Sequence, residues 1–561
     1  MTPREELIEI QKRIVTRLEA EIRRCVIDDS PMMRRYRQEY EREIREYSRT
    51  ATQRELVQKV MESDIVFCGD YHTLSLAQRT PMRLLHQAVH RGRNVIIAME
   101  MAYAKHQAAL DKYMNGQIDD AAFLKALDYR HTWNFTWENY KVIFDFAREH
   151  GIRVLGINTP GRSGRHHLKE RDEFSADVIV DATIQNPDAL ILVMDGDWHI
   201  ASAHLPSEVR KRLDERKMKR KLLTVFQNST DIYWLLAKRR LAHRIDVVQI
   251  SKNVYGVINA TPLVKLQSFL NWEEGVEELG YADLWEKGVS RIDYTEHVLQ
   301  IIDTITSYLD IKAEGLDNFT VYSTADLDFL EVLAGRGDFT TGEIEEIKKQ
   351  IEHDESYFIL KGNIIYLANL SLNHAAEEAT HFINITCSGY PPEVEDSVDE
   401  FYHRILTEAL GFLGSKIINH KRECYHIDDY RQFLEEHRGE ELSDEMETMR
   451  AVSKLIMQHH DFEHKYIETG KLKGKPRKIY TQETDVHLGI THGLGYMLGN
   501  QLYQAMICDA IPRSEVRELF FVKFYKPGVA ISTYFDLCKR LGKLQPYCRE
   551  EGDHWDKVIT D

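Results

Sequence analysis

With 43% hydrophobic and 29% charged residues over 561 positions, the chain has enough apolar material for two or three packed domains and too much for a disordered one. A net charge of -17 leaves no excess of Lys and Arg to neutralise phosphates, which excludes a general nucleic-acid binder. Seven scattered cysteines without a C-x-x-C pair argue against a disulfide framework, no run approaches a membrane span, and the charged N-terminus lacks an apolar signal core, so a cytoplasmic protein is expected.

In chain order, residues 1–60 read as a helical arm, an exposed amphipathic pair broken at Asp28-Asp29-Ser30-Pro31, with its Arg and Glu as solvated faces. Residues 61–265 alternate short apolar runs (64–69, 94–100, 153–158, 189–196 and 221–226) with amphipathic segments. Strands apolar on both faces predict an α/β domain, a mainly parallel sheet flanked by helices, with 244–251 and 254–260 closing it as a hairpin. A helical connector is expected over 266–320. A mostly α-helical C-terminal domain is expected over 321–561, with one hairpin at 357–368.

Four polar signals follow apolar runs: Gly69-Asp70-Tyr71-His72, Glu100, Asn158-Thr159-Pro160 and Gly196-Asp197-Trp198-His199. In an open parallel sheet the carboxyl ends of the strands share one edge, where ligands bind, so these residues can meet in one cleft. The glycine opening each G-D-x-H is expected to let the chain leave the strand sharply. Two imidazoles with carboxylates suit a divalent transition metal, or a general base with an orienting partner. A lone strand-end His is most simply a hydrogen-bonded structural residue, but two G-D-x-H copies after buried strands favour a site.

The ordered motifs G-D-x-H, VIIAMEM, the KHQAALDKYMNG segment, the run ending in GINTP and VMDGDWH resemble the ChaN-like haem-binding uptake domain over about residues 61–240. That family is grouped with the Tiki metalloproteases and is similar to erythromycin esterases. The resemblance carries the paired Gly-x-x-His motifs to Gly69 with His72 and Gly196 with His199, and the strand-end acid to Glu100. Asp70 stands where the family usually has Glu. The resemblance implies a haem- or metal-binding protein, with a metal-dependent hydrolase and an inactive binding or scaffold protein as alternatives. His72, His199, Glu100 and Asp70 are the catalytic candidates. Tyr71, Asn158, Arg162, Arg165 and Asp197 are the cofactor-binding candidates, the two arginines in a basic loop suited to haem propionates or an anionic substrate. Tyr71, Tyr103, Tyr129 and Tyr140 are candidate axial haem ligands. The expected partners are a small-molecule ligand or peptide and a second copy of the chain in a homodimer.

A second constellation lies in NHAAEEATHF, where His374, Glu377, Glu378 and His381 share one helical face. Glu378 and His381 form a Glu-x-x-His pair of the kind used by carboxylate-bridged metal bundles, and His374, Glu378 and His381 are candidate metal ligands facing the domain interior.

Overall fold

Strand residues alternate between two cores. Val66, Cys68, Ile97, Met99, Leu192 and Met194 belong to one apolar cluster, while Ile65, Phe67, Ile96, Ala98, Ile191 and Val193 belong to another. Each all-apolar run therefore buries both faces, as a parallel sheet sandwiched between helices requires. The computed structural model describes residues 1–25, 30–160, 168–273, 294–353, 356–369, 371–392, 396–439, 442–469, 479–480, 482 and 484–542. Two units result: Met1–Ile292 with Thr324–Asp354, and Asp293–Ser323 with Glu355–Asp561.

The first unit is built on an eight-stranded sheet of β1 (Arg49–Ala51), β2 (Ile65–Asp70), β3 (Val95–Tyr103), β4 (Arg153–Asn158), β5 (Leu190–Gly196), β6 (Leu222–Gln227), β7 (Val247–Ser251) and β8 (Val254–Val257). The spatial order is β1-β7-β8-β6-β2-β5-β3-β4. All neighbours from β8 to β4 are parallel, and β7 pairs antiparallel with both β8 and β1. Consequently β2, β5 and β3, the strands that lead into His72, His199 and Glu100, lie side by side.

The N-terminal arm differs from the exposed pair expected. Helix α1 (Pro3–Cys25) buries Leu7, Ile10, Ile14 and Leu18, and Arg4 is buried with its guanidinium 2.9 Å from Asp328. Helix α2 (Pro31–Glu43) starts at the predicted break, where Ser30 accepts a hydrogen bond from the Met33 N–H. Its Tyr36, Glu39, Tyr40 and Glu43 share one face, and that face docks on the strand edge: Glu39 lies 3.1 Å from His204 Nε2, and Glu43 accepts from the Ser202 N–H. The Arg/Glu alternation conceals this face because the docking residues are themselves polar.

The second unit has a three-stranded sheet, β9 (Thr320–Ser323), β10 (Tyr357–Ile359) and β11 (Ile364–Leu367), in which the expected hairpin β10–β11 gains β9 as a parallel neighbour. Helix Leu372–Ser388 packs beside it, helix Ser397–Ile418 packs on Leu372–Ser388, and helix Thr484–Ile507 packs on Ser397–Ile418. Cys508 is disulfide-bonded, where the scattered cysteine pattern predicts no disulfide framework, and Cys68, Cys387, Cys424 and Cys538 are free. Among the described residues no helix is long and apolar enough to cross a membrane.

Candidate functional site

Register explains the cleft. Gly69 pairs with Asp195 and Asp70 with Gly196, so the two G-D-x-H segments leave adjacent strands at the same level. Glu100 lies on β3, where pairing with β4 shifts between Met99 and Tyr103, an irregularity of the kind that re-aims side chains. Gly156 permits it, since a Cβ there would come within 2.8 Å of the Ala102 carbonyl oxygen. Neither Gly69 nor Gly196 has a positive φ, so neither supplies the sharp exit expected of it. Gly69 supplies space instead: a Cβ there would lie 1.9 Å from Asp197 Oδ1.

His72, Glu100 and His199 come together. His72 Nε2 is 3.6 Å from Glu100 Oε2, and His199 Nε2 is 3.7 Å from Glu100 Oε1. Each imidazole is held from behind by a carboxylate: His72 Nδ1 is 3.0 Å from Asp70 Oδ2, and His199 Nδ1 is 2.6 Å from Asp172 Oδ1. Each carboxylate is held in turn by a tyrosine. The Tyr140 hydroxyl donates to Asp70 at 2.8 Å, and the Tyr36 hydroxyl donates to Asp172 at 2.7 Å. Gln78 also donates to Asp70, at 2.6 Å. Two parallel relays, Tyr–Asp–His, thus converge on one glutamate.

The charges are buried. Glu100 accepts from Arg171 at Oε1 and from the Gly196 N–H at Oε2 (2.8 Å), and Arg171 donates through Nε to Asn158 Oδ1 at 3.0 Å. Burial would raise the Glu100 carboxyl, but Arg171, His199 and His72 outweigh it and hold it well below the usual carboxylate range. Asp195 shows the reverse: burial and the neighbouring Glu100 charge push it well up. Burial pulls His72 down, yet Asp70 and Glu100 outweigh it and leave the imidazole above its ordinary value.

Among the described residues, Glu100, Asp195 and His199 offer ligand atoms that all lie within 4.8 Å of one another. With Nδ1–H directed at Asp70 or Asp172, a ring without a proton at Nε2 presents a lone pair there. Two lone pairs facing a carboxylate repel unless a proton or a metal cation lies between them. The donor set fits a divalent transition metal.

Other expected residues are dispersed. Asp197 accepts from Tyr40 at 3.3 Å and has its second oxygen unpaired among the described residues, while Tyr71 lies beneath Lys265 Nζ, 4.9 Å from the ring centre. Arg162 and Arg165 fall outside the described residues. Of the haem-ligand candidates, Tyr140 is buried and committed to Asp70, Tyr129 is buried, and Tyr103 is half-buried beside Lys105.

Sequence reasoning missed Asp172, Arg171, Asp195 and Tyr36. Asp172 had a signal: with Ser175, Ala176 and Ile179 it forms the buried face of helix Leu168–Gln185, at positions i, i+3, i+4 and i+7. Asp195 directly precedes the second G-D-x-H. Arg171 looks in the sequence like one more charge in a solvated run.

The match with known proteins covers the first of these relays. Residues 56–170 match the family described as haem-binding uptake, Tiki superfamily, ChaN. The ChaN-matched segment contains Asp70, His72, Glu100, Tyr140 and Asn158 and ends just before Arg171, so Asp172, Asp195 and His199 lie beyond it. A solved structure described as cofacial heme binding to ChaN of Campylobacter jejuni is similar at 14% identity, with 32% of this chain and 86% of that chain covered and a TM-score of 0.24. No curated protein matches the sequence.

In the second unit the helix over 372–388 is as expected, and it gathers a different set of partners. His381 Nδ1 pairs with Glu378 at 3.2 Å, and its Nε2 is 3.9 Å from Glu408 on helix Ser397–Ile418. Glu408 also meets His492 Nε2 at 3.5 Å, from helix Thr484–Ile507. His374 Nδ1 lies 3.0 Å from Asn369 Oδ1, and Glu377 pairs with Arg422 at 3.0 Å. Burial pulls His381 down, but Glu378, Glu408 and Glu377 outweigh it and push it up to about 9. A raised folded-state value means that this stabilisation is complete below the unfolded histidine pKa of about 6.5 and vanishes as pH rises through 9. Raising the pH from 7 to 10 should therefore remove roughly 1 to 3 kcal/mol from the second unit. Chemical denaturation across that range should show the loss, with His381→Gln flattening it. An unchanged slope in the variant would refute the assignment.

Proposed function

We propose that the first unit binds a divalent transition metal at His72, Glu100 and His199 and uses it in hydrolysis of a small ester or peptide substrate. The observation that supports this reading is the pair of relays, in which Asp70 and Asp172 fix the two rings by Nδ1 and leave both Nε2 atoms facing Glu100 beyond hydrogen-bond reach. Bound there, such an ion would supply Lewis acidity to a carbonyl or ester oxygen. The chain's own groups do the rest. Tyr140 and Tyr36 hold the two aspartates, which fix the imidazole tautomers, and α2 shields His199 from water by laying Tyr36 beside it. Arg171 neutralises Glu100 in the absence of an ion, and a metal ion would share that carboxylate with it or displace it.

Haem binding is the second reading, and the description of the matched family favours it. Elemental analysis of the purified full chain, set beside hemin titration followed at the Soret band, separates the two. On the first reading the protein carries metal, and His72→Ala and His199→Ala each lower its affinity about tenfold or more and abolish turnover of an ester or peptide panel. A metal-free protein whose Soret band survives both substitutions would overturn it in favour of haem.

A further inference from the structure

The middle residues of the two G-D-x-H segments do not serve the histidine cleft. Tyr71 and Trp198 line a cavity of about 860 Å³ that contains none of His72, Glu100 or His199. Its volume is that of a small-molecule site. Its charge is opposite to that of the protein. Among the described residues of the lining, Arg23, Arg34, Arg37, Arg42, Arg45 and Lys265 face three acids, six cations against three anions and so +3, on a chain whose net charge is -17. Two of the acids are engaged, Glu19 with Arg23 at 3.6 Å and Glu41 with Arg37 at 3.4 Å. Arg42 and Arg45 are exposed and have no ion-pair partner among the described residues.

Lys265 marks the inner end of this space. It is 9% exposed, donates to the Asn228 carbonyl oxygen at 3.2 Å, lies 4.0 Å from Asp197 Oδ2, and is near Glu19 as well. An ammonium has three donors, so this buried cation keeps hydrogen-bonding capacity for something else. Arginines in excess of acids around a buried lysine, with two aromatic rings in the same lining, form a receptor for concentrated negative charge attached to a planar group. Guanidinium forks match phosphate oxygens in pairs, and several of them answer a ligand with more than one negative charge.

We propose that this cavity binds a phosphate-bearing small molecule of nucleotide size, its phosphates held by the arginines of the α1–α2 region and Lys265 and its planar portion set against Trp198 and Tyr71. The test uses the full chain in chelator, with ATP and inorganic pyrophosphate as probes, followed by calorimetry and tryptophan fluorescence at low and high salt. Saturable one-to-one binding is expected, tighter for ATP than for pyrophosphate and weakened by salt. Arg42→Glu and Arg45→Glu should each weaken it about tenfold or more while leaving the melting temperature unchanged, because both side chains are exposed. His72→Ala should retain it, which keeps this site distinct from the metal cleft. Absence of saturable binding up to millimolar probe, indifference to both charge reversals, or citrate binding as tightly as ATP would overturn the proposal.

Discussion

Arg171→Met should destabilise the first unit by about 3 to 5 kcal/mol in chelator and recover much of that loss in zinc. Arg171 is the cation in contact with Glu100 Oε1, and Glu100 and Asp172 are both buried close by. Removing one partner of a buried pair leaves the other charge without compensation, a much larger cost than the pair's own net contribution. Ionising Asp195 would only add a second negative charge beside it, a change that burial and the Glu100 charge already oppose. A divalent ion can relieve it, because it brings positive charge to the same oxygens. Thermal melts of parent and variant, each with chelator and with zinc, give the four values required. Equal stability of both proteins in chelator would show that Glu100 does not depend on Arg171, and a variant unmoved by zinc would count against a metal at these residues.

Gly499→Ala should destabilise the second unit by roughly 3 kcal/mol, more than most single methyl additions. A Cβ at position 499 would come within 2.4 Å of the Ala409 carbonyl oxygen and 3.0 Å of Phe412 Cβ. One turn earlier, a Cβ at Gly495 would meet Glu408 Cβ at 2.5 Å and the Ile405 carbonyl oxygen at 2.9 Å. These obstacles are backbone or Cβ atoms, which cannot rotate away, so the helices Ser397–Ile418 and Thr484–Ile507 would have to separate. Glu408 and His492 would then part as well. Gly335→Ala is the control, as no described residue lies within 4 Å of its added Cβ and its φ is not positive. It should be neutral or stabilising by up to about 1 kcal/mol. Denaturation followed by circular dichroism reads both, and a Gly499→Ala protein within about 0.5 kcal/mol of the parent would refute the close approach.

The residues legible in the sequence are those that terminate strongly apolar strands. β2, β3 and β5 announce themselves by composition, and His72, Glu100 and His199 follow from them because a parallel sheet collects its carboxyl ends on one edge. What supports those three residues was not legible. Arg171, Asp172 and Tyr36 sit on helices whose charges and aromatic rings have the appearance of a wetted surface, and only tertiary packing turns that face inward. The strands β1 and β9 are three and four residues long and carry no periodic signal. In the second unit Glu378 and His381 could be read from one helix, whereas Glu408 and His492 reach them through glycine contacts between helices far apart in sequence.

The path of the chain through the first unit has a consequence for its synthesis. Helix α1 is made before the rest of this unit, yet it packs on helices Phe329–Arg336 and Thr341–Glu352, and Arg4 finds Asp328 across 324 residues of sequence. At roughly 5 to 20 residues per second, a ribosome needs on the order of half a minute to deliver that cover. Throughout that interval the apolar face of α1 has only part of its native cover, the part supplied by helix Pro262–Glu273. A nascent chain in this state should be a client for a hydrophobic-segment chaperone near the tunnel exit, with aggregation between neighbouring polysomes as the competing route.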